Sequence, residues 1–120
     1  MPEDTAVESL VTDWLTLPEV ADLMEVPVSR VRQLVTDRQM LAVRRGENRA
    51  LAIPADFVQD GKVLKGLPGT LTLLADARYT DDEALRWLFS PDDSLPGSPV
   101  EALVANRGTE VKRRAQALGF

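Results

Sequence analysis

The sequence predicts a mainly α-helical fold with a small β wing, and three local patterns support this prediction. Near the start of the chain, two short stretches carry apolar residues at helical spacing and are separated by a tight turn. Two β-capable stretches around a polar turn follow them directly. Three capping boxes, each a Ser or Thr followed three residues later by Glu, predict helix starts at Thr16, Thr80 and Ser98. A chain of 120 residues suffices for one compact domain without disulfide or metal staples.

The first helix is predicted to begin at Thr16, whose hydroxyl accepts from an unpaired backbone amide while Glu19 accepts from the amide of Thr16. Pro18 suits the first turn, because the amide hydrogen that it lacks would be unpaired there. The apolar pattern ends at residues 25–27, where Pro27 suits the first turn of a second helix. The apolar positions are Leu17, Val20, Ala21 and Met24 in the first helix and Val31, Leu34 and Val35 in the second.

This spacing fits a helix-turn-helix motif, with an ordinary helical hairpin as the alternative. The motif places a small residue at its fifth position, a glycine at its ninth, and apolar residues at five further positions. Counted from Leu17, the small residue is Ala21 and the apolar ones are Val20, Met24, Val26, Val31 and Leu34. Only Glu25, at the ninth position, departs from the pattern. Either Glu25 adopts a left-handed backbone conformation at a cost of about 1 kcal/mol, or the turn has a different geometry.

Residues 40–54 predict a β-hairpin. Met40–Arg45 and Ala50–Pro54 are β-capable, and the polar segment Gly46–Arg49 between them contains the glycine and asparagine typical of turns. A hairpin directly after two such helices is the usual form of a wing.

The segment from Leu15 to Val58 resembles the excisionase/MerR-like winged helix-turn-helix family. In that family a leucine-threonine start, a "GVS" turn, a valine-centred recognition helix, an "L.AVR.G" strand and an "IP" end occur in this order. The matching residues here are Leu15-Thr16, Glu25-Val26-Pro27, Val31, Met40 with Ala42-Val43-Arg44 and Gly46, and Ile53-Pro54. Glu25 replaces the glycine and Pro27 the usual serine cap. With its helical end, the whole chain resembles small actinobacterial DNA-binding proteins with a helical C-terminal extension.

The charge distribution agrees with a DNA-binding face, although the net charge of −5 does not. Residues 1–25 carry seven acids and no base, residues 26–65 carry eight bases and four acids, and residues 66–110 carry three bases and eight acids. A basic block between acidic flanks is typical of a small binding face on a soluble protein, and a solvated mixed surface is the alternative.

The family resemblance implies that the second helix enters the major groove of double-stranded DNA and that the wing contacts the backbone or the minor groove. The outward positions of that helix are Val28, Ser29, Arg30, Arg32, Gln33 and Thr36. Our candidate DNA contacts are Ser29, Arg30, Arg32, Gln33 and Thr36 on the helix and Arg44, Arg45, Asn48 and Arg49 in the wing. We therefore expect a sequence-reading DNA-binding protein that regulates transcription.

The second half of the chain is predicted to be helical. A turn at Asp60-Gly61-Lys62 leads to a helix with Leu71, Leu73, Leu74 and Ala77, and the box at Thr80 opens a helix that stops at Ser90-Pro91. The box at Ser98 opens a helix over Val100–Asn106 that Gly108 closes, and Thr109 caps a last helix that ends near Leu118. Lys112, Arg113 and Arg114 lie toward the end of that helix, where basic residues are favourable.

One segment of this half resembles the C-terminal part of MbcA/ParS/Xre-type antitoxins, which helps to bind a partner toxin. The matching residues are Trp87-Leu88, Pro91, Leu95, Gly97, Ser98-Pro99, Glu101 and Leu103. The resemblance implies a protein-interaction module as the alternative function, whereas the same residues also suit a helical core.

The predicted organisation is an acidic flexible tail over residues 1–13, a winged helix-turn-helix domain over 14–60 and a helical region packed on it over 61–120.

Composition excludes most enzyme classes. Without cysteine or histidine the chain has no thiolate nucleophile, no zinc site of the usual Cys/His kind and no histidine general base, so we expect no enzymatic activity, no metal and no cofactor. Asp81-Asp82 and Asp92-Asp93 are the alternative, as ligands of a hard metal ion.

No apolar run approaches the roughly 18 residues of a membrane span, and the acidic first residues do not fit a secretory signal. We expect a cytoplasmic protein without membrane contact.

The acidic tail suggests a regulatory hypothesis. Thr5, Ser9 and Thr12 are hydroxyl residues beside acids and are candidate phosphorylation sites for a Ser/Thr kinase. A phosphate there would add up to about two negative charges, which would weaken DNA binding by repulsion or by competition for the basic face.

Overall fold

The computed structural model describes residues 10–95 and 97–119. In this part of the chain, six α-helices and two small antiparallel sheets form a mainly α structure, as the sequence predicts. The strands are β1 (Trp14–Thr16), β2 (Val43–Arg45), β3 (Ala50–Pro54), β4 (Val58–Gln59) and β5 (Lys62–Val63). The helices are α1 (Leu17–Met24), α2 (Val28–Thr36), α3 (Leu67–Asp76), α4 (Asp81–Phe89), α5 (Pro99–Val104) and α6 (Gly108–Ala117), and a single 3-10 turn covers Ala55–Phe57.

The first helix pair forms as predicted, including its unusual turn. The side chain of Thr16 accepts from the amide of Glu19 at 3.2 Å, and Glu19 accepts from the amide of Thr16 at 2.8 Å, so the capping box starts α1. Glu25 ends α1 in the left-handed conformation, with φ 58° and ψ 47°. The first of the two alternatives for this turn is therefore confirmed. Pro27 is the residue that precedes α2 and does not lie in its first turn, so the predicted start of α2 was one residue early.

The β2–β3 hairpin forms the wing, and β1 extends it to a three-stranded sheet with the order β1-β3-β2. Leu15 pairs with Ile53 and Arg44 pairs with Leu51 in antiparallel register. Strand β1 is absent from the prediction, and β2 is shorter than predicted. Met40 and Leu41 were assigned to that strand, but both are buried in the core before β2 begins.

The C-terminal helices follow the predicted capping boxes at Thr80 and Ser98, which start α4 and α5. The prediction for the next junction is wrong. Gly108 begins α6 and does not close α5, and Thr109 lies inside α6 instead of capping it. The chain leaves α5 through Asn106, which takes the left-handed conformation with φ 65°, and Arg107 precedes α6. Asparagine tolerates this conformation better than most residues, so the end of α5 does not require a glycine.

One hydrophobic core joins the two halves of the molecule. Phe57 is fully buried at the end of the wing region, and its ring lies 5.8 Å from that of Phe89 in α4. Polar contacts also cross between the halves, from Arg38 to Asp81 at 2.6 Å. The apolar residues of the antitoxin-like segment belong to this core: Leu88, Leu95 and Leu103 are buried. They complete the fold and do not form an exposed apolar surface.

The folded part begins before the boundary that the sequence predicts. Val11 is 3% exposed and belongs to the core, and the carbonyl of Asp13 accepts from the amide of Ala55 at 3.0 Å. Leu10 and Val11 thus pack against the core, although the predicted tail covers residues 1–13. Of the hydroxyls proposed for phosphorylation, Thr12 is exposed, and Thr5 and Ser9 lie outside the described residues. Among the described helices, none has the length and apolarity that a membrane span requires.

Candidate nucleic-acid interface

Helix α2 presents a polar face to solvent because its apolar side is anchored in the core. Val31 and Leu34 are buried and Val35 is half-buried. The candidate contacts on the opposite side are all exposed: Ser29, Arg30, Arg32, Gln33 and Thr36. Val28 was also expected to point outward, but it is half-buried and packs against the core.

This face carries two positively charged arginines, Arg30 and Arg32. Arg30 and Arg32 form no ion pair with any residue in the described part of the chain. Elsewhere the arginines Arg38, Arg86 and Arg107 each pair with a carboxylate. The unpaired charges on α2 are therefore available to an anionic partner.

The wing presents three polar side chains near this helix. The turn between β2 and β3 is closed by the amide of Arg49, which donates to the carbonyl of Gly46 at 3.2 Å. Arg49 takes a left-handed conformation with φ 55°, and the guanidinium of Arg44 donates to its carbonyl at 3.0 Å. Arg44, Asn48 and Arg49 are all exposed. The hydrogen bond from Arg44 fixes the shape of the turn from within the wing.

A groove of about 490 Å³ joins the wing to α2. Arg32 lines it from the helix, and Arg44, Asn48 and Arg49 line it from the wing. The structure thus brings four of the nine predicted site residues together around one concave surface. The groove is completed by Thr16, Leu17 and Pro18 and by Ala50 and Leu51.

The start of α1 is a part of this groove that sequence reasoning missed. Thr16 is the last residue of β1, which pairs with β3 of the wing, and this pairing places residues 16–18 beside the wing. A three-residue strand has too little alternation to be recognised. The capping box at Thr16 was visible in the sequence, but its position in space depends on that strand.

Arg45 does not join the groove. Successive residues of a strand point to opposite faces, so Arg44 and Arg45 lie on different sides of β2. The guanidinium of Arg45 lies over the indole ring of Trp14, 4.5 Å from the ring centroid, and its side chain is half-buried. This cation–π contact ties β2 to β1 across the sheet.

Three of the four acids considered as metal ligands have other partners. Asp81 pairs with Arg38, and Asp82 pairs with Arg86 at 2.8 Å. Asp92 accepts from the hydroxyl and the amide of Ser94, and these hydrogen bonds lower the pKa of its carboxyl. Over residues 10–95 and 97–119, no three acids lie close enough together to hold a metal ion.

The basic residues of α6 divide between internal contacts and solvent. Arg114 donates to the hydroxyl of Ser94 at 2.7 Å, which ties α6 to the loop before α5. Lys112 and Arg113 are exposed. None of the three lines the groove between α2 and the wing.

Comparison with known proteins places both halves of the chain in one family. Residues 2–58 match the family model described as "DNA-binding protein Rv2175c, wHTH domain", and residues 64–119 match "Rv2175c C-terminal domain of unknown function". The chain is 45% identical over 117 residues to the DNA-binding protein Rv2175c of Mycobacterium tuberculosis (strain ATCC 25618 / H37Rv), an alignment that covers 87% of this chain and 79% of that protein.

The fold agrees with this relationship. The NMR structure of Rv2175c superposes with a TM-score of 0.79 at 42% sequence identity, over 90% of this chain and 82% of that one. The relation to excisionase/MerR-like proteins stays a prediction. The chain belongs to the Rv2175c family and carries its winged helix-turn-helix DNA-binding domain.

Proposed function

We propose that this protein reads specific sequences in double-stranded DNA and regulates transcription from them. The groove that joins Arg32 of α2 to Arg44 and Arg49 of the wing is the observation that carries the proposal. It forms one concave, positively charged surface on a chain whose net charge is −5. Local positive charge of this kind can attract a phosphate backbone although the protein as a whole is acidic.

Helix α2 has dimensions suited to the major groove. An α-helix with its side chains is about 10–12 Å in diameter, and the major groove of B-DNA is roughly 12 Å wide, so the nine-residue α2 can lie in it. Ser29 and Arg30 lie nearest its start, the end that approaches base edges in helix-turn-helix proteins. Arg30 is suited to a guanine edge, because its guanidinium can donate to two acceptors at once.

The residues of the groove are suited to the DNA backbone. Arg32, Arg44 and Arg49 surround the groove from two elements and would follow a phosphate strand between the helix and the wing. Arg45 contributes indirectly in this arrangement, since its stack on Trp14 holds β2 while Arg44 faces the groove. Thr36 lies at the far end of α2 and would make a weaker contact with the DNA.

A salt titration tests the proposal with charge reversal. With Arg32, Arg44 and Arg49 at phosphates, the slope of log K against log salt should be about −2.7, since each neutralised phosphate contributes about −0.9. Arg30→Glu/Arg32→Glu should abolish measurable binding. Arg78→Glu/Arg113→Glu is the matched control, because it changes the same residue types at exposed positions outside the groove.

The two variants separate local from global electrostatics. Each lowers the net charge by four, so a general charge effect would weaken both equally. The proposal predicts that the control keeps most of the wild-type affinity while the α2 variant loses it. Equal losses, or no duplex binding by the wild type at low salt, would contradict the proposal and turn attention to the C-terminal helices.

A further inference from the structure

The residue after α2 occupies a position that is unfavourable for an acid. Asp37 ends the helix, where the partial negative charge of the helix dipole disfavours a carboxylate. Among the described residues it has no basic partner in an ion pair. A negative charge beside a surface that binds phosphates also lowers affinity. Neither helix stability nor general DNA attraction explains an aspartate here.

The carboxylate of Asp37 instead contacts a candidate base-reading residue. The side-chain amide nitrogen of Gln33 donates to Oδ1 of Asp37 at 2.9 Å, one helical turn away. Both side chains are exposed, so the pair lies on the surface of α2 that faces solvent. Pairs at this spacing contribute only a few tenths of a kcal/mol to a helix, so stability alone is a minor consequence.

The chemistry of this pair determines which way the amide points. An ionised carboxylate only accepts hydrogen bonds, so the NH₂ group of Gln33 must face Asp37 and its oxygen must face away. Rotating the amide by half a turn would bring two oxygens together without a hydrogen between them. One N–H of the amide and its carbonyl oxygen remain available to a partner.

That remaining edge offers one donor and one acceptor. Adenine presents the complementary pair in the major groove, with N7 as acceptor and the N6 amino group as donor. Guanine presents two acceptors, N7 and O6, and would meet the oxygen of Gln33 with another oxygen. The fixed amide therefore favours adenine over guanine.

We propose that Asp37 is a specificity-determining residue that, through Gln33, makes one position of the DNA site selective for adenine. This inference rests on the proposed function, because it requires α2 to lie in the major groove. In it Gln33 touches the base, and Asp37 acts as a positioning residue. The negative charge of Asp37 lowers the overall affinity for DNA, whereas its hydrogen bond to Gln33 increases the discrimination between bases.

The test measures base preference separately from affinity. A duplex bound by the wild-type chain is selected from a random-sequence library, and the dissociation constants of all single base-pair variants of that duplex are then measured. The wild type should prefer adenine at one position by about 5- to 150-fold, the range of a good bidentate contact. Gln33→Ala should remove this preference at that position alone.

Asp37→Asn is the decisive variant. It is nearly isosteric, and its amide can either accept from Gln33 or donate to it, so both orientations of the Gln33 amide become possible. We expect the adenine preference to fall to about 2-fold or less, while preferences at other positions persist. Thermal melting of the variant should stay close to the wild type, which excludes unfolding as the cause.

Glu47→Gln in the wing turn is the matched control. It removes one negative charge from an exposed residue of the same domain without touching Gln33, so it should change affinity and keep the adenine preference. An Asp37→Asn chain that retains the full preference would overturn the inference while leaving DNA binding intact. Absence of duplex binding by the wild type would instead overturn the proposed function, and this inference with it.

Discussion

Replacing Glu25 by glycine should stabilise the protein, because Glu25 holds the turn of the helix-turn-helix in a left-handed conformation. Its φ of 58° and ψ of 47° bring the β-carbon close to the following carbonyl oxygen. That conformation costs roughly 1–2 kcal/mol for most residues, and glycine adopts it without this cost. Glycine loses more chain entropy on folding, by roughly 0.5–1 kcal/mol, so we expect a net gain of about 0.5–1 kcal/mol.

This gain is measurable as a shift in melting temperature. The entropy of unfolding of a 120-residue chain is about 0.25 kcal/mol per kelvin. A backbone gain of 0.5–1 kcal/mol therefore places the Tm of the glycine variant about 2–4 °C above that of an alanine variant, which also lacks the carboxylate. Calorimetry or circular dichroism at neutral pH resolves a shift of this size.

Glu25→Ala is the control, because it removes the charge and keeps the β-carbon. The carboxylate lies at the negative end of α1, so its removal alone should add up to about 0.3–1 kcal/mol in both variants. The difference between the glycine and alanine variants isolates the backbone. An alanine variant as stable as the glycine variant would refute the reasoning.

Three further predictions concern the core, pH and the acidic tail. Phe57→Ala should lower the free energy of unfolding by about 3–5 kcal/mol, because Phe57 is buried against Phe89. The two halves share one core, so the far-UV circular dichroism and tryptophan fluorescence signals should still change at the same temperature. Separate transitions would show that the halves unfold independently. Burial, together with Asp13 and Glu101 nearby, raises the pKa of Asp56 above its ordinary value of 3.8. The charged form is thus disfavoured in the folded state, so the contribution of Asp56 to stability is present at low pH and is lost as the pH rises through the raised pKa. Asp56→Asn should therefore be more stable than the wild type at pH 7, with a difference that shrinks toward pH 3.8 in denaturant titrations; a constant difference would contradict this. Replacing Thr5, Ser9 and Thr12 by Glu should weaken DNA binding most at low salt, and unchanged affinity at every salt concentration would end the kinase hypothesis.

Local signals account for the parts of the fold that could be predicted. Each of the three capping boxes combines a hydroxyl with a glutamate three residues later, and all three start a helix in the structure. The helix-turn-helix spacing correctly predicted buried residues such as Val20 and Val31, because the residues that face the core can be read from helical periodicity alone. For the turn at Glu25 the sequence left two alternatives, and the structure has the left-handed one, with φ 58°.

The features that were missed depend on contacts between distant residues. Strand β1 exists because it pairs with β3, and nothing within Trp14–Thr16 marks it as a strand. For the same reason Val11 could not be recognised as part of the core. Gly108 was expected to end a helix, and Asn106 fills that role because either residue tolerates a positive φ.

The candidate site was predicted as a set of residues but not as a geometry. The helix and wing residues were predicted as candidate DNA contacts, and four of them line one groove. The separation of Arg44 from Arg45 could have been inferred from strand alternation, which places them on opposite faces. The contact between Gln33 and Asp37 was also within reach, because residues four apart on a helix are neighbours.

The most direct test of the DNA-binding face is an NMR titration of the isotope-labelled chain with a bound duplex. Our account predicts that backbone amide signals shift over residues 28–36 and 44–51 and at the start of α1, in fast or slow exchange according to affinity. Signals from α4, α5 and α6 should change little. Shifts concentrated on those C-terminal helices, with α2 and the wing unaffected, would contradict the account.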